Sequence, residues 1–273
     1  MTSRRSTIGV FDSGFGGLTV LKALLELIPD AEYMYFGDTA RLPYGSKSVE
    51  TVARYAVEAT RYLENRGAEL LVIACNTATA LALDRITAAA GVPVVGVVEP
   101  GADAATSVSR NRKVVVIGTE ATISSHAYRK ALEARGLDVR EKACPLLVPL
   151  VEEGWVEHPV TEEVAGIYLG EAFGDGFQDA DALVLGCTHY PLLKSLLHRV
   201  APAHVSIVDS AESTARAVAA RAKKLLAPSV DEERRGLPRI KFFATDSVEK
   251  FRRLGERFLG HSIEDVQHVD LKE

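Results

Sequence analysis

The chain has 273 residues, of which 47% are hydrophobic and 25% are charged; this composition is typical of globular proteins, and the length suits one large domain or two of roughly 100–150 residues each. The net charge of −5 disfavours nucleic acid as a partner, because nucleic-acid binding requires a basic face. The longest apolar runs, such as residues 92–98, are far shorter than the roughly 20 residues of a membrane-spanning helix, and the polar N-terminus lacks a signal-peptide pattern. We therefore expect a cytoplasmic protein without a membrane partner, whose cysteines are free thiols rather than a structural disulfide.

In the first part of the chain, apolar runs alternate with stretches of helical spacing. A helix follows the turn at residues 12–17 and ends at Pro29. A second helix begins at Ser48, a good N-cap, and ends at Gly67. A third covers about residues 77–91. Strands are predicted at residues 8–11, 32–37, 70–74 and 92–98.

The same alternation continues to the end of the chain, with a charged, turn-rich surface loop predicted at residues 228–238. Strands are predicted at residues 113–118, 139–144, 182–186, 205–209 and 240–245, before a short final strand. Helices are predicted at residues 124–136, 161–173 and 191–200, from 209 to about 226, and after residue 245. Continuous apolar strands that alternate with helices are typical of parallel sheets covered on both faces. We therefore predict an α/β fold with two such sheets.

Two parts of the chain repeat the same features in the same order. The repeated segments are IGVFDSGFGG at residues 8–17 with VVVIGTEATI at 114–123, and LVIACNT at 71–77 with LVLGCTH at 183–189. This order predicts two similar α/β units related by a pseudo-two-fold axis. Because sites in open parallel sheets form at the carboxyl ends of strands, we expect Cys75 and Cys187 to meet across a cleft between the units.

Both cysteines are followed by polar residues and by a predicted helix start. The N–H groups and dipole of a helix N-terminus attract anions, and they lower a thiol pKa from about 8.5 to roughly 3.5–7.5. Asn76, Thr77 and Thr188 add neutral hydrogen-bond donors. We predict a site for a small anion between Cys75 and Cys187, where a thiolate on one face and a thiol on the other could invert a carbon centre.

Other candidate residues have simpler interpretations. A cysteine in an apolar run usually serves packing, and we assign that role to Cys144 in ACPLLVP. His189 could be a core or capping group, and Glu152 with Glu153 a solvated charge pair. The DSGFGG segment could be only a tight turn with a helix cap; it fails the dinucleotide-loop pattern because Thr19 stands where the third glycine is required.

Five motifs taken together resemble one enzyme family. They are DSGFGGL (12–18), YFGDTARLPYG (35–45), ACNTATA (74–80), CPLLVPLVEEG (144–154) and GCTHYPLL (186–193). In this order they closely resemble the glutamate racemases, cofactor-independent enzymes that supply D-glutamate for peptidoglycan, and the resemblance covers nearly the whole chain. It implies two α/β domains with the site between them and the second inserted in the first, at residues 1–97 plus 209–273 and 98–208.

The resemblance also implies residue roles. Cys75 and Cys187 resemble the two acid/base cysteines, which deprotonate D- and L-glutamate respectively. Asp12 resembles the group that assists Cys75, and His189 and Glu152 resemble the groups that assist Cys187. The implied substrate contacts are Asp12, Ser13, Pro43, Tyr44, Gly45, Asn76, Thr77, Thr119, Thr188 and His189.

We expect neither a metal nor a cofactor, since no pattern indicates a lysine that would hold pyridoxal phosphate. A carbanion-like transition state would then depend on fixed donors from Asn76, Thr77 and Thr188. Asp12 presents a difficulty, because a negative neighbour disfavours a thiolate at Cys75. The difficulty disappears if Asp12 binds the substrate ammonium or takes the thiol proton.

Three alternatives stay open. Asp12, Cys75, Cys187 and His189 include zinc-ligand types, although no C-x-x-C or H-x-x-x-H spacing supports a metallohydrolase. A related racemase could act on aspartate or a hydantoin, although residues 35–45 favour glutamate by resemblance. A two-domain amino-acid-binding protein would have no use for two thiols flanked by polar residues.

Assembly and regulation are less constrained by the sequence. A homodimer is compatible with it, and Trp155 is equally compatible with a domain or subunit contact and with an ordinary half-buried aromatic. Some family members carry a longer N-terminal extension linked to regulation by a cell-wall precursor. Because the first predicted strand begins near Ile8, we expect no such control here.

Overall fold

The computed structural model describes residues 6–225 and 239–271, and the loop predicted at residues 228–238 lies outside them. The strands are β1 (Thr7–Asp12), β2 (Glu32–Gly37), β3 (Leu70–Ile73), β4 (Val94–Gly96), β5 (Lys113–Gly118), β6 (Asp138–Ala143), β7 (Ala182–Gly186), β8 (Ser206–Asp209), β9 (Ile240–Ala244) and β10 (Val266–His268). The helices are α1 (Leu18–Leu27), α2 (Val49–Asn65), α3 (Asn76–Ala89), α4 (Val98–Val108), α5 (Glu120–Ser124), α6 (Ala127–Glu133), α7 (Leu147–Glu152), α8 (Pro159–Ala172), α9 (Lys194–Val200), α10 (Ser210–Leu225) and α11 (Val248–Leu259). None of these helices is long and apolar enough to span a bilayer.

These strands form two sheets in which neighbouring strands are parallel. The larger sheet has the order β10-β9-β2-β1-β3-β4, and the smaller has the order β6-β5-β7-β8. Pairing is in register along β1, where Phe11 lies opposite Phe36 on one side and Ile73 on the other. The predicted α/β fold with two parallel sheets is confirmed.

Strands β1–β4 belong to the larger sheet, β5–β8 form the smaller sheet, and β9 and β10 belong to the larger sheet again. Helix α4 leads into the smaller sheet and α10 leads back, where it packs against α1. This order supports the proposed division into residues 1–97 plus 209–273 and residues 98–208. The exact boundaries stay a prediction.

Several predicted elements differ from the structure. The strand predicted at residues 92–98 stops at Gly96, because its last apolar residues begin α4, a helix that the sequence does not predict and that contains the weak helix formers Pro100 and Gly101. Helix α7 is also not predicted. The single helix predicted at residues 124–136 is in fact α5 and α6, because the left-handed backbone of His126 (φ 55°) interrupts it.

The carboxyl ends of four strands carry the candidate site residues. Strand β1 ends at Asp12, and β3 ends two residues before Cys75. In the smaller sheet, β5 ends next to Thr119 and β7 ends next to Cys187. Each sheet thus contributes two strand ends, and open parallel sheets bind ligands at this edge.

Cys144 directly follows β6, and its side chain lies in the apolar core of the smaller sheet and does not line the cavity described below. Its side chain is fully buried in a cluster that includes Leu147, Val151 and Leu169. Its thiol points at the carbonyl of Lys142, 3.6 Å away. Burial raises the pKa of the Cys144 thiol to about 12, so this sulfur stays protonated and is packed as a small apolar group.

Replacing Cys144 by alanine should therefore affect stability and leave turnover nearly unchanged. We expect Cys144→Ala to lower the free energy of unfolding by about 1–2 kcal/mol through lost packing. Its turnover should stay within a few-fold of wild type. Urea unfolding and an assay of the activity that the family resemblance implies measure the two quantities, and a folded variant that has lost turnover would contradict the structural role.

Candidate active site

One cavity of about 190 Å³ lies between the two sheets, and both Cys75 and Cys187 line it. This volume is below the roughly 300–1,000 Å³ of pockets that hold drug-sized ligands, so it suits a small molecule. The predicted site residues on its wall are Ser13, Pro43, Tyr44, Gly45, Cys75, Asn76, Thr77, Thr119, Glu152, Cys187, Thr188 and His189. The sequence did not single out Leu42, Ser46, Glu120, Pro145, Val148 and Pro149, which also line it.

Cys75 is the N-cap residue of α3. Its sulfur accepts the N–H of Ala78 at 3.4 Å, and its thiol lies 3.5 Å from the Ser13 hydroxyl oxygen. The helix start predicted after this cysteine is therefore present. Only 5% of the Cys75 surface is exposed, so the sulfur lies in a largely dry environment.

The lowered pKa predicted for Cys75 is wrong. Burial, followed by the nearby Asp12 carboxylate, raises the pKa of this thiol to about 12. Hydrogen bonds from Ser13 and Ala78 act in the opposite direction but are smaller. The helix N-terminus is thus outweighed by the loss of water around the sulfur, and Cys75 is a thiol in the ligand-free protein.

Asp12 lies behind the cavity wall and is not part of its lining. Its carboxylate is fully buried; Oδ2 accepts the N–H of Gly14 at 2.9 Å, and Oδ1 has no partner among the described residues. Burial raises the pKa of the Asp12 carboxyl, although the charge of His189 and the N–H groups of the turn oppose this. A direct contact between Asp12 and a substrate stays a prediction.

The side chains of Cys187, His189 and Glu152 lie next to one another in that order. Its sulfur lies 3.9 Å from Nδ1 of His189, and Nε2 of the same ring lies 3.3 Å from Oε1 of Glu152. The edge of Phe258 packs against the ring with centroids 5.2 Å apart. No regular helix follows Cys187 directly, because α9 begins only at Lys194 after a 3₁₀ turn. Cys187 is therefore supported by a histidine instead of a helix N-terminus.

The charge of His189 is fixed by its two neighbours. Burial acts to lower the pKa of His189, but the hydrogen bonds to Cys187 and Glu152 outweigh it and raise that pKa to about 10. Burial likewise acts to raise the pKa of Glu152, and the hydrogen bond from His189 brings it below its ordinary value. An imidazolium beside Cys187 and a carboxylate near Cys75 give the two sulfurs opposite electrostatic surroundings.

Comparisons with known proteins agree with this geometry. The sequence model of the Asp/Glu/hydantoin racemase family matches residues 8–218. A glutamate racemase from Koribacter versatilis is 61% identical, with 99% of each chain covered. The chain belongs to the Asp/Glu/hydantoin racemase family. It is an amino-acid racemase, as the motifs predict.

Solved structures of glutamate racemases have the same fold. The Bacillus anthracis RacE1 structure has a TM-score of 0.90 at 39% identity and covers 97% of this chain and 98% of its own. The Francisella tularensis enzyme in complex with D-glutamate has a TM-score of 0.88 at 34% identity, with 98% of both chains covered. The fold of this chain is therefore shared with these glutamate racemases.

Two glycines allow the two sheets of the racemase to approach closely. A Cβ at Gly16 would lie 2.3 Å from the Thr188 hydroxyl oxygen and 2.7 Å from Nδ1 of His189. A Cβ at Gly45 would lie 2.9 Å from Cβ of Thr119. No side chain larger than hydrogen fits at either position without a shift. The DSGFGG turn is therefore a contact surface for the opposite sheet as well as a helix cap.

Asp38 holds one wall of the racemase site, and the sequence does not reveal this role. Its buried carboxylate accepts hydrogen bonds from Tyr44, Arg41 and Thr245. These bonds tie the segment around Pro43, Tyr44 and Gly45 to the loop after β9. The sequence gives no signal for this link, because Thr245 is far from Asp38 in the chain.

Three threonine hydroxyls join the sheets beside the cavity. Thr77 lies 3.0 Å from Thr119 and 3.2 Å from Thr122, and the last two are 2.9 Å apart. Thr122 is fully buried and does not line the cavity. This cluster links the start of α3 to the start of α5 through neutral groups that can donate or accept.

Within residues 6–225 and 239–271, no three His, Cys, Asp or Glu side chains converge in a way that could hold a metal ion. The four side chains of the zinc alternative do not form such a group.

Trp155 is 43% exposed and stacks on the His158 ring, with centroids 4.6 Å apart.

The pH dependence of the racemase should report the His189 pair. Below about pH 10 His189 keeps its proton and places a positive charge beside Cys187, and above that pH this charge is lost. Activity should therefore fall as the pH rises through about 10. Glu152→Gln removes a charge that raises the His189 pKa, so the alkaline limb of kcat/KM should move to lower pH.

Glu153→Gln is the matched control, because it removes the neighbouring exposed carboxylate without touching His189. Its profile should coincide with that of the wild type. The same limb must occur with L- and D-substrate, since the enantiomers have equal free energy. An unmoved limb in Glu152→Gln would show that this pair does not control the pH profile.

Proposed function

We propose that the protein interconverts L- and D-glutamate, with Cys75 and Cys187 as the two acid/base groups on opposite faces of the α-carbon. The observation that carries this proposal is that both sulfurs line one small cavity between the sheets. A glutamate racemase is 61% identical to this chain, and the structure of another glutamate racemase contains D-glutamate. Both findings support glutamate over aspartate or a hydantoin.

The reaction needs one thiolate and one thiol. The thiolate takes the proton from Cα, and the electron pair of the broken C–H bond is left on the α-carbon and its carboxylate. The opposite thiol then donates its proton to the other face, which forms the new C–H bond and leaves that sulfur as the thiolate. Atoms and charge balance, and each turnover exchanges the roles of Cys75 and Cys187.

The resting charges favour one starting arrangement. Cys75 is a thiol because of burial and Asp12, and the imidazolium of His189 lies beside Cys187. The ligand-free enzyme is thus prepared to deprotonate L-glutamate with Cys187, in agreement with the role that the family resemblance implies. After turnover the thiolate is on Cys75, close to Asp12. Because the pKa of the Asp12 carboxyl is raised, this group can hold a proton beside the thiolate.

Neutral donors stabilise the charge that grows on the α-carboxylate. Asn76 and Thr77 form the first turn of α3, and Thr188 projects from the opposite sheet. Donors that are fixed before the reaction cost no reorganisation, and removal of one such group typically lowers kcat by about 10²–10³-fold. A helix N-terminus adds a favourable dipole for an anion.

Other expectations stay proposals. Supply of D-glutamate for peptidoglycan rests on the family resemblance, whereas a cytoplasmic location and activity without metal or pyridoxal phosphate rest on the sequence pattern, with which a homodimer is compatible. The binding-protein alternative is disfavoured by the paired thiols, which binding alone does not require.

Removing either catalytic thiol should abolish most of the activity. Cys75→Ala and Cys187→Ala should each lower kcat/KM by at least about 10²–10⁴-fold, as expected for a positioned acid or base. The two directions must lose equal kcat/KM, because the equilibrium constant is one. Cys144→Ala is the matched control, and the rate of change of optical rotation is the measurement. Either variant within tenfold of wild type would refute the two-thiol mechanism.

Solvent deuterium separates a two-base from a one-base mechanism. A thiol exchanges its proton with water, so in deuterated water the product should carry deuterium at Cα. Substrate recovered early should remain largely unlabelled, because the proton is returned from the opposite face. Mass spectrometry of the separated enantiomers measures both pools. Heavy early labelling of recovered substrate would indicate a single base.

A further inference from the structure

Tyr128 is a buried tyrosine that none of the site assignments includes. It belongs to α6, beside the smaller sheet, yet its hydroxyl donates to Oδ1 of Asn76 at 2.7 Å. Asn76 follows Cys75 at the edge of the larger sheet. Tyr128 is fully buried and Asn76 is 2% exposed, so this hydrogen bond crosses between the two halves of the site in a dry environment.

The bond decides which end of the Asn76 amide remains available. Asn76 lines the cavity, and its Nδ2 is buried with no hydrogen-bond partner among the described residues. With Oδ1 occupied by Tyr128, the side chain can offer only its N–H groups to a ligand. A reversed amide would instead present an oxygen to the substrate carboxylate, which would repel it.

The position of the tyrosine ring is itself tightly fixed. A Cβ at Gly101 would lie 3.2 Å from the Tyr128 hydroxyl oxygen, and a Cβ at Gly186 would lie 3.2 Å from its ring. Gly186 directly precedes Cys187. The left-handed residue His126 (φ 55°) just before α6 is the kind of strained backbone that clusters at functional sites.

We propose that Tyr128 is a positioning residue that holds the Asn76 amide with Nδ2 directed at the α-carboxylate of the substrate. The inference rests on the proposed function, since it assumes that the ligand carries this carboxylate. Tyr128 contacts the residue after one cysteine and the residue before the other, so it also fixes the relation between the two strand ends. Burial raises the pKa of Tyr128 well above its ordinary value, so the hydroxyl remains a donor throughout the working pH range.

The test is a double-mutant cycle on the full-length protein, with L-glutamate as substrate. Tyr128→Phe keeps the ring and removes the donor, and we expect kcat to fall about tenfold with KM within about twofold. Asn76→Ala should lose more, about 10²–10³-fold. Because Tyr128 acts through Asn76, the double variant should be no slower than Asn76→Ala, within about twofold.

Tyr33→Phe is the matched control. Tyr33 is equally buried, but its hydroxyl donates to the carbonyl oxygens of Leu24 and Ile28, outside the cavity lining. It should keep kcat within about twofold of wild type. If Tyr128→Phe does not fold, Gly101→Ala crowds the same hydroxyl while retaining it, and should lower kcat in the wild-type background but not in Asn76→Ala.

The outcomes separate this inference from the proposed function. A Tyr128→Phe enzyme within twofold of wild type, or losses that multiply in the double variant, would overturn the positioning role. An Asn76→Ala enzyme close to wild type would also overturn it, because there would be no donor to position. The proposed function is tested independently by the Cys75→Ala and Cys187→Ala variants.

Discussion

The close approach of the two sheets at Gly16 is the constraint on which the site depends. The turn after β1 lies against Thr188 and His189, so closely that no Cβ fits at Gly16. This contact brings the carboxyl ends of strands from both sheets to one cavity of about 190 Å³. The proposed mechanism places the two thiols on opposite faces of one carbon, and each of the two α/β units contributes one of these thiols to the cavity.

Charge then distinguishes the two halves of a nearly symmetric site. The Cys75 side has a buried carboxylate, whereas the Cys187 side has a histidine whose pKa is raised to about 10. Burial and Asp12 together raise the Cys75 pKa and so keep that thiol protonated until substrate arrives. A symmetric pair of thiolates would have no acid, and a symmetric pair of thiols would have no base. The proposed mechanism needs one acid and one base, and the different surroundings of the two sulfurs favour such an unequal pair.

Local signals in the sequence were sufficient for the fold class and for part of the cavity wall. Apolar runs predict strands, and polar residues after them mark strand ends, which is why Cys75, Asn76, Thr77, Cys187 and Thr188 could be selected. The other predicted wall residues came from the resemblance to the glutamate racemases. The pKa of Cys75 could not be predicted, since it depends on burial and on Asp12, 63 residues earlier in the chain. Helix α4 was hidden by Pro100 and Gly101. Asp38, Thr122 and Tyr128 gave no signal, because each has a partner that is distant in sequence, namely Thr245, Thr77 and Asn76.

The most direct test of the account is a crystal structure of the protein with D-glutamate bound. The account predicts that the α-carbon lies between the two sulfurs, with Cys75 and Cys187 on opposite faces and each sulfur about 3–3.5 Å from it, the separation of reacting atoms in a near-attack geometry. A ligand outside the cavity between the sheets, or one with both sulfurs on the same face or one sulfur turned away, would contradict the two-thiol mechanism.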